Sequence, residues 1–381
     1  MLKKLALGAL LLVFGLVAPA FAADKGGELG GVADLEERVA ELEATVPRKG
    51  NRKVSLHVTG QINRAILWHD ADVPSSIAKR TFGDGSQNPT SFGFMGDAKI
   101  SPEVKAGFRL EFGVDENAVL QDTVTVRHSA VWVESIKMGR VTLGRTSQAT
   151  DGIAEMTVAN TDVAAKMLNL EPVSTHYFFG LVNLPFDGGR RNIVRYDSPV
   201  IAGFMASASW GQGDRIGPLG ATANEAVWDV ALRYAGEFGG FRVTGGVGYR
   251  VEDYNAAGAF AGMPMENVIT GSASAKHMTS GIFANVAAGK VTNLGGTTDL
   301  QGLHVQGGWE HNVTALGNTT LFAEWGQLKE PGSSGDITLM GLGAVQSVDA
   351  AALDIYGSWR QFDLDGADKV NVWMLGTRIR F

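Results

Sequence analysis

The sequence ends with VNVWMLGTRIRF at residues 370–381, and this stretch decides the fold class. Arg378 and Arg380 share one side of the stretch, and apolar side chains occupy the other. The apolar residues are Trp373, Leu375, Ile379 and Phe381. An alternation with a period of two predicts a β-strand with one apolar face. This predicted strand reaches Phe381 itself.

The first 22 residues have the pattern of a secretory signal peptide. Two lysines at positions 3 and 4 precede an uncharged run over residues 5–18, and Ala-Phe-Ala follows at residues 20–22. A basic region, an apolar region and a small-residue cleavage site in this order are typical of exported proteins. The alternative is an uncleaved membrane anchor, which Gly15 and Pro19 disfavour. Removing two lysines and no acid changes the formal net charge from −7 to −9.

The composition excludes several classes of protein. Cysteine is absent, which excludes disulfides and cysteine-ligated metals. The chain is acidic and has no stripe of basic residues with interleaved aromatics, so nucleic acid is not an expected partner. No apolar run after the signal is long enough to cross a bilayer as a helix, so a membrane crossing must use strands. The 50 glycines among 381 residues fit a protein rich in crowded or bent strands.

A short heptad pattern follows the signal. The apolar residues Val32, Leu35, Val39, Leu42 and Val46 are spaced three and four apart, with charged residues between them. We predict that residues 23–52 form a periplasmic heptad helix and a linker. Two heptads are too few to be stable alone. The helix therefore either self-associates as a small stalk or packs on the surface of its own protein.

From Lys53 to Phe381 the period is two throughout. About sixteen amphipathic segments are separated by turn residues, and short links alternate with long polar links such as residues 70–89. An even number of strands with short turns on one rim and long loops on the other is typical of outer-membrane barrels. The predicted fold is all-β: a 16-stranded antiparallel transmembrane β-barrel over residues 53–381, with a short N-terminal helical, coiled-coil-like extension.

The charged faces of these strands indicate which side meets water. An aqueous channel accommodates many ionised groups, and a barrel of 16 strands is wide enough to enclose one. We therefore expect the apolar faces to point toward lipid. Aromatic residues such as Trp132 and Trp325 are candidates for girdles at the membrane interfaces, and some of these aromatics should instead be ordinary packing residues, which the sequence does not distinguish. Arg64 and Arg145 fall on the apolar side, so each should be redirected by a bulge or buried between protomers.

The longest link, residues 151–190, exceeds the length of an ordinary connecting loop. We expect it to fold into the lumen and narrow the pore; the alternative is an external loop whose acids keep it soluble. The candidate constriction acids are Asp151, Glu155, Asp162, Glu171 and Asp187. The candidate basic residues of the pore wall are Lys105, Arg109, Arg127, Arg195, Arg233 and Arg242.

Three stretches carry a resemblance to a known family: KVSLHVTGQINR at residues 53–64, Gly144-Arg145, and RIRF at residues 378–381. With them the barrel region resembles the trimeric general porins of the Gram-negative outer membrane, particularly those of alphaproteobacteria. The resemblance implies a homotrimer surrounded by outer-membrane lipid and lipopolysaccharide. It also implies a third external loop folded into the pore opposite arginines. The heptad segment at residues 32–46 departs from simple porins.

By the same resemblance, the alternating C-terminal residues form a signal for the barrel-assembly machinery. These residues are Trp373, Leu375, Ile379 and Phe381.

The expected function is an outer-membrane porin for passive diffusion of ions and small hydrophilic solutes, with no cofactor. The acidic loop suggests a weak cation preference, which basic residues in the lumen could reverse. A channel selective for a sugar, phosphate or carboxylate is the alternative. A barrel hydrolase is the weaker one, because the seven histidines are scattered and no hydrolase or metal-site motif is present.

Overall fold

The computed structural model describes residues 53–70, 80–84, 87–115, 123–168, 186–212, 226–253, 264–294, 298–331, 336–364 and 369–381. The predicted signal peptide, the heptad segment and Glu171 lie outside these residues. The described residues from Ser55 onward belong to one compact unit that ends at Phe381.

Seventeen strand segments form one closed antiparallel sheet. In chain order they are β1 His57–His69, β2 Arg80–Asp84, β3 Ser91–Lys99, β4 Val104–Asp115, β5 Thr123–Ser135, β6 Gly139–Ser147, β7 Arg190–Asp197, β8 Phe204–Gln212, β9 Ala226–Phe238, β10 Phe241–Asp253, β11 Glu266–His277, β12 Ile282–Leu294, β13 Thr298–Thr314, β14 Gly317–Lys329, β15 Ile337–Val348, β16 Leu353–Leu364 and β17 Val370–Arg380. One short 3₁₀ helix, Asp349–Ala351, lies in the turn before β16.

The segments β2 and β3 share one place in the barrel. Both pair with β1: β2 lies opposite residues 64–68, and β3 lies opposite residues 57–61. In sequence, six residues separate Asp84 from Ser91, whereas their partners on β1, Arg64 and Gln61, are separated by only two. The barrel therefore has sixteen strand positions, as predicted. The interpretation of residues 70–89 as one loop was wrong for β2, a five-residue segment too short to show a clear alternation.

The barrel closes where β17 pairs with β1 over residues 61–69. Trp68 lies opposite Trp373, and their rings stack with centroids 6.2 Å apart. Trp359 on β16 lies on the other side of Trp373 in the same row. Every backbone position along this seam gains a partner strand, which is what a lipid environment requires of a sheet.

The two faces of the barrel follow the alternation. On β9, Trp228, Val230 and Leu232 are exposed on the outside, and Asp229 and Ala231 are buried toward the inside. An apolar outer face with a polar inner face is the arrangement of a transmembrane barrel. Among the described residues no helix combines the length and apolar character needed to cross a membrane.

A bulge on β5 changes the inner face. Glu111 pairs with His128 and Phe112 pairs with Val126, so Arg127 is an extra residue and both Arg127 and His128 turn inward. Trp132, a candidate for an outer girdle, lies on the lumen side instead, because the exposed residues around it on β5 are its odd-numbered neighbours. Trp132 is therefore one of the candidate aromatics that do not belong to a girdle.

The two misplaced arginines have different surroundings. Arg145 lies beside the β5 bulge, where its Nε donates to the Val126 carbonyl at 2.9 Å. Arg64 keeps its outward position, with no register shift against β17, and lies opposite Asp84 on β2. The prediction that a bulge redirects Arg64 was therefore wrong, and the irregularity nearest to it is the interruption between β2 and β3.

Candidate functional site

The loop after β6 runs inside the barrel from its first residues. Thr150 donates to the Asp229 carboxylate from its backbone N at 2.6 Å and from its Oγ1 at 2.7 Å. Arg233 donates to the carbonyls of Ala149 at 2.7 Å and Asp151 at 2.8 Å. Arg195 donates to the carbonyl of Gln148 at 3.0 Å. These inward side chains of β7 and β9 fix the start of the loop.

The loop then follows the inner wall across β11 to β16. The Val158 N–H donates to Ser274 on β11 at 2.9 Å, and the Asn160 N–H donates to Glu310 on β13 at 2.7 Å. The Asn160 side chain also donates to Asp354 on β16 at 3.0 Å. Residues of the loop are thus bonded to three strands along this part of the wall.

An apolar cluster joins the same loop to the wall. Val163, Ala164 and Ala165 are fully buried, and Met167 and Leu168 are nearly so. They belong to one cluster with inward apolar residues of the wall. The wall residues include Leu67, Val268, Val291, Leu300, Phe322, Leu328, Leu339 and Phe362. The inner face of this half of the barrel is therefore partly apolar, unlike the uniformly polar face expected from the sequence.

Asp162 joins the loop to both sides of the seam. Its Oδ2 accepts from Asn88 Nδ2 at 2.7 Å, in the interruption between β2 and β3, and from Arg378 Nη1 on β17 at 3.4 Å. The neighbouring Lys166 N–H donates to Gln87 at 3.1 Å. The extra residues in the second strand thus provide anchoring groups for the loop.

Asp187 fixes the returning end of the loop. Its Oδ1 accepts from the Ala154 N–H at 2.7 Å, and its carbonyl accepts from Arg250 at 2.9 Å. Burial of the carboxyl, with the nearby charges of Glu155 and Asp151, raises the pKa of Asp187 well above its usual value. The hydrogen bond from Ala154 opposes this rise only in part.

Ion pairs lie buried under the loop. Arg360 donates to Glu324 from Nε at 2.7 Å and from Nη2 at 3.0 Å, and His304 Nε2 lies 3.0 Å from the same carboxylate. His304 Nδ1 accepts the Leu168 N–H at 2.9 Å, so Nε2 carries the proton toward Glu324. The side chains of His304 and Glu324 have no exposed surface. Charged residues on this wall are therefore paired under the loop, and the expectation that they lie in open water was wrong here.

The described residues leave a cavity on the opposite wall. A cavity of about 690 Å³ is lined by residues of β3 to β7 and by Arg233 on β9, and it reaches the start of the loop at Asp151. Its basic lining residues are Lys105, Arg109, Arg140, Arg195 and Arg233. Its acidic lining residues are Asp97, Glu134, Asp151 and Asp197. The lumen is thus divided into a wall covered by the loop and a wall lined with charges.

A family model described as Gram-negative porin matches residues 8–378. The chain belongs to the Gram-negative porin family. This porin is therefore an outer-membrane channel and not an enzyme.

Solved porins have the same fold at low sequence identity. The anion-selective porin from Comamonas acidovorans has a TM-score of 0.59 and 14% identity, over 86% of this chain and 100% of that one. A trimer form of Vibrio cholerae OmpT has a TM-score of 0.59 and 14% identity, over 86% and 99%. Salmonella typhi OmpF, solved in complex with daunomycin, has a TM-score of 0.59 and 14% identity, over 86% and 98%. No curated protein matches this porin by sequence.

The candidate acids of this porin lie in different surroundings. Asp151 lines the cavity. Glu155 accepts from Lys166 at 2.6 Å, so its charge is paired within the loop. Asp162 lies at the seam and Asp187 at the loop return, as described above. Glu171 lies outside the described residues.

The candidate bases differ in the same way. Arg109 and Arg127 both pair with Glu111 on their own wall, Arg127 at 2.7 Å. Arg195 and Arg233 hold the loop backbone, and Lys105 lines the cavity. Arg242 is inward by alternation, but it lies beside the turn at residues 239–240 and pairs with Glu237 at 2.7 Å. The structure does not bring Arg242 to the cavity.

Sequence reasoning missed three lumen residues. Arg190 begins β7, and its Nε lies 3.4 Å from His128 Nε2. Arg140 lines the cavity near the turn before β6. Trp132 on β5 lines the same cavity, with its ring beside the Arg140 guanidinium. The alternation on β6 could have identified Arg140, but the β5 bulge that turns His128 inward leaves no clear signal in the sequence.

Proposed function

We propose that this porin passes small hydrophilic solutes by passive diffusion through a lumen narrowed by the loop at residues 151–190. The observation that carries the proposal is the set of hydrogen bonds from residues 149–168 to inward side chains of the wall. A loop held in this way occupies lumen space and leaves the cavity along β3 to β7 as the route. Asp151 and the arginines across the cavity supply the charges at the narrow part.

We further propose a weak preference for anions. Five bases and four acids line the cavity, and of the loop's described acids Glu155 and Asp162 are engaged with Lys166 and Arg378. Charges that line a narrow channel with walls of low dielectric constant concentrate ions of opposite sign. The excess of bases therefore favours anions, opposite to the cation preference suggested by the loop composition alone.

Two measurements in planar bilayers test this function. The reversal potential in a KCl gradient should have the sign of an anion-preferring pore, and the opposite sign would reject the proposed charge balance. A variant with residues 152–186 replaced by a short Gly-Ser linker should show a larger single-channel conductance. Unchanged conductance in that variant would reject the constriction and leave the porin assignment intact.

We propose that the porin assembles as a homotrimer within outer-membrane lipid and lipopolysaccharide. Family membership supports the proposal, and one similar solved structure is described as a trimer form. The outward, exposed Arg64 also favours burial between protomers, because an arginine facing lipid at mid-depth costs about 2–4 kcal/mol. Native mass spectrometry in detergent should give a trimer mass with retained lipid; a monomer mass at all concentrations would contradict it.

The ends of the chain have proposed roles in export and assembly. Residues 1–22 would be removed on export, residues 23–52 would form the periplasmic helix, and Trp373, Leu375, Ile379 and Phe381 would address the barrel-assembly machinery. N-terminal sequencing of the mature protein tests the first role, with Ala23 as the expected start. Phe381→Ala should reduce assembly in cells more than refolding from urea into detergent, and equal effects would argue against the assembly signal.

A further inference from the structure

One row of inward residues crosses the cavity wall near the short turns. The register aligns Lys105 on β4 with Glu134 on β5, and Glu134 with Arg140 on β6. Trp132 lies two residues from Glu134 on the same inner face, opposite Gly107 of β4. Basic, acidic and aromatic side chains therefore share a small area of the wall, and all of them except Gly107 line the cavity of about 690 Å³.

Arg140 is held in one orientation by two neighbours. Its Nε and Nη2 donate to Glu134 Oε2 at 3.2 and 2.5 Å. Its guanidinium carbon lies 4.4 Å from the centroid of the Trp132 ring. The ring in turn lies against Gly107, where a Cβ would come within 2.3 Å of it. A guanidinium fixed on one edge and one face presents its remaining edge, Nη1, to the cavity at little entropic cost.

Two more donors face the same cavity from β4. Arg109 uses Nε and Nη2 on Glu111, which leaves Nη1. Within the described part of the chain, Arg109 Nη1, Arg140 Nη1 and Lys105 Nζ have no hydrogen-bond partner. Lys105 and Arg140 are two strands apart, or about 10 Å between backbones, and Lys105 and Arg109 are about 13 Å apart along β4.

The distances between these three donors favour a ligand that carries more than one negative group. A single small anion such as acetate can meet one of these donors at a time. A flexible anion with two or three carboxylates can reach two donors at once, and each charge-assisted bond is stronger than a neutral one. The cavity lining has more basic than acidic residues, and this excess of positive charge attracts anions over a longer range.

We propose that Lys105, Arg109 and Arg140 form a binding subsite for small organic di- and tricarboxylates, with Trp132 as the positioning residue for Arg140. The inference rests on the proposed diffusion channel and names a solute class for its lumen. A bound carboxylate interrupts the ion current while it occupies the subsite. The block by these solutes should therefore saturate with concentration, whereas the diffusion of other small solutes through the channel should not.

Current block in planar bilayers tests the subsite. Citrate, acetate and inorganic phosphate are added to the wild-type porin in KCl at constant ionic strength. Citrate should block at concentrations at least about tenfold lower than acetate or phosphate, as expected when one additional charged hydrogen bond forms. Equal block by all three anions would overturn the proposal. Absence of any KCl conductance would instead contradict the channel function itself.

Variants locate the subsite. Arg140→Gln should raise the half-blocking citrate concentration about tenfold, the loss expected for one charged hydrogen bond. Trp132→Leu should also raise the half-blocking citrate concentration, because it removes the ring under the Arg140 guanidinium, and Trp132→Phe should restore the block. Arg242→Gln is the matched control, because its side chain is inward, 47% exposed and paired with a carboxylate, but lies outside the cavity. An Arg242 effect equal to that of Arg140, or no effect of Arg140→Gln, would overturn the proposal.

Discussion

Gly60 and the terminal Phe381 exchange two backbone hydrogen bonds, from Gly60 N to Phe381 O at 2.8 Å and from Phe381 N to Gly60 O at 3.0 Å. A Cβ at Gly60 would lie 2.7 Å from the Phe381 ring and 2.7 Å from the Ser91 carbonyl. The glycine therefore leaves space for the ring of the last residue. The two ends of the barrel domain meet at this pair.

We expect Gly60→Val to impair closure, because the Ser91 carbonyl belongs to the backbone and cannot move aside cheaply. The folded fraction, measured by the heat-modifiable band on cold SDS gels, should fall strongly. Gly307→Ala is the control, since the atom nearest to a Cβ there is 3.9 Å away. Equal folded fractions for the two variants would contradict the closure argument.

We expect Asp162→Ala to loosen the loop at the seam. The substitution removes the acceptor shared by Asn88 and Arg378, at a cost of about 1 kcal/mol for a part-exposed pair. Hydrogen exchange at the amides of residues 163–168 should accelerate several-fold. Glu103→Ala breaks an ion pair with Lys137 that lies far from the loop in sequence and is exposed, so it should leave those amides unchanged.

Asp187 should make loop docking depend on pH. Because docking raises the pKa of Asp187, the docked loop holds the proton more tightly than the released loop. Docking is therefore strongest below the usual carboxyl pKa and weakens as pH rises through the raised value. Asp187→Asn keeps an acceptor for the Ala154 N–H and should remove this dependence. Exchange of the Ala154 amide against pH measures the effect, and identical profiles for wild type and variant would contradict it.

The buried carboxylate of Glu324 should contribute strongly to stability. Glu324→Ala leaves Arg360 and His304 buried without their shared partner, which costs about 3–5 kcal/mol. Guanidinium unfolding in detergent should show this loss. Glu237→Ala removes an exposed partner of Arg242 and should cost no more than about 1 kcal/mol. Similar losses in the free energy of unfolding for both variants would contradict the argument that burial makes the Glu324 ion pair more important than an exposed one.

Much of the fold could be predicted from the sequence, because a period of two depends only on local alternation between lipid and lumen. The number of strand positions follows from that pattern, and so does the alternation of short turns on one rim with long loops on the other. Trp132 and the β2 segment could not be assigned, since an aromatic fits either face and five residues show little periodicity. Inward apolar residues such as Leu339 and Phe362 resemble lipid-facing ones until the loop that covers them is known.

The candidate site was less predictable for a similar reason. The loop acids were recognised by their type and by the length of the loop. Which of them reach the cavity depends on distant partners, such as Arg378 for Asp162 and Lys166 for Glu155. Those partners are set by the three-dimensional path of the loop and not by spacing along the chain.

The described part of the loop covers one side of the barrel interior, and this asymmetry has an evolutionary consequence. Residues under the loop are constrained by one another, so most changes there damage the whole scaffold. The side from β3 to β6 makes fewer contacts with the described part of the loop, so its charges can change at a smaller cost in stability. New permeation properties should therefore arise by drift on that side, while the covered side remains fixed among descendants.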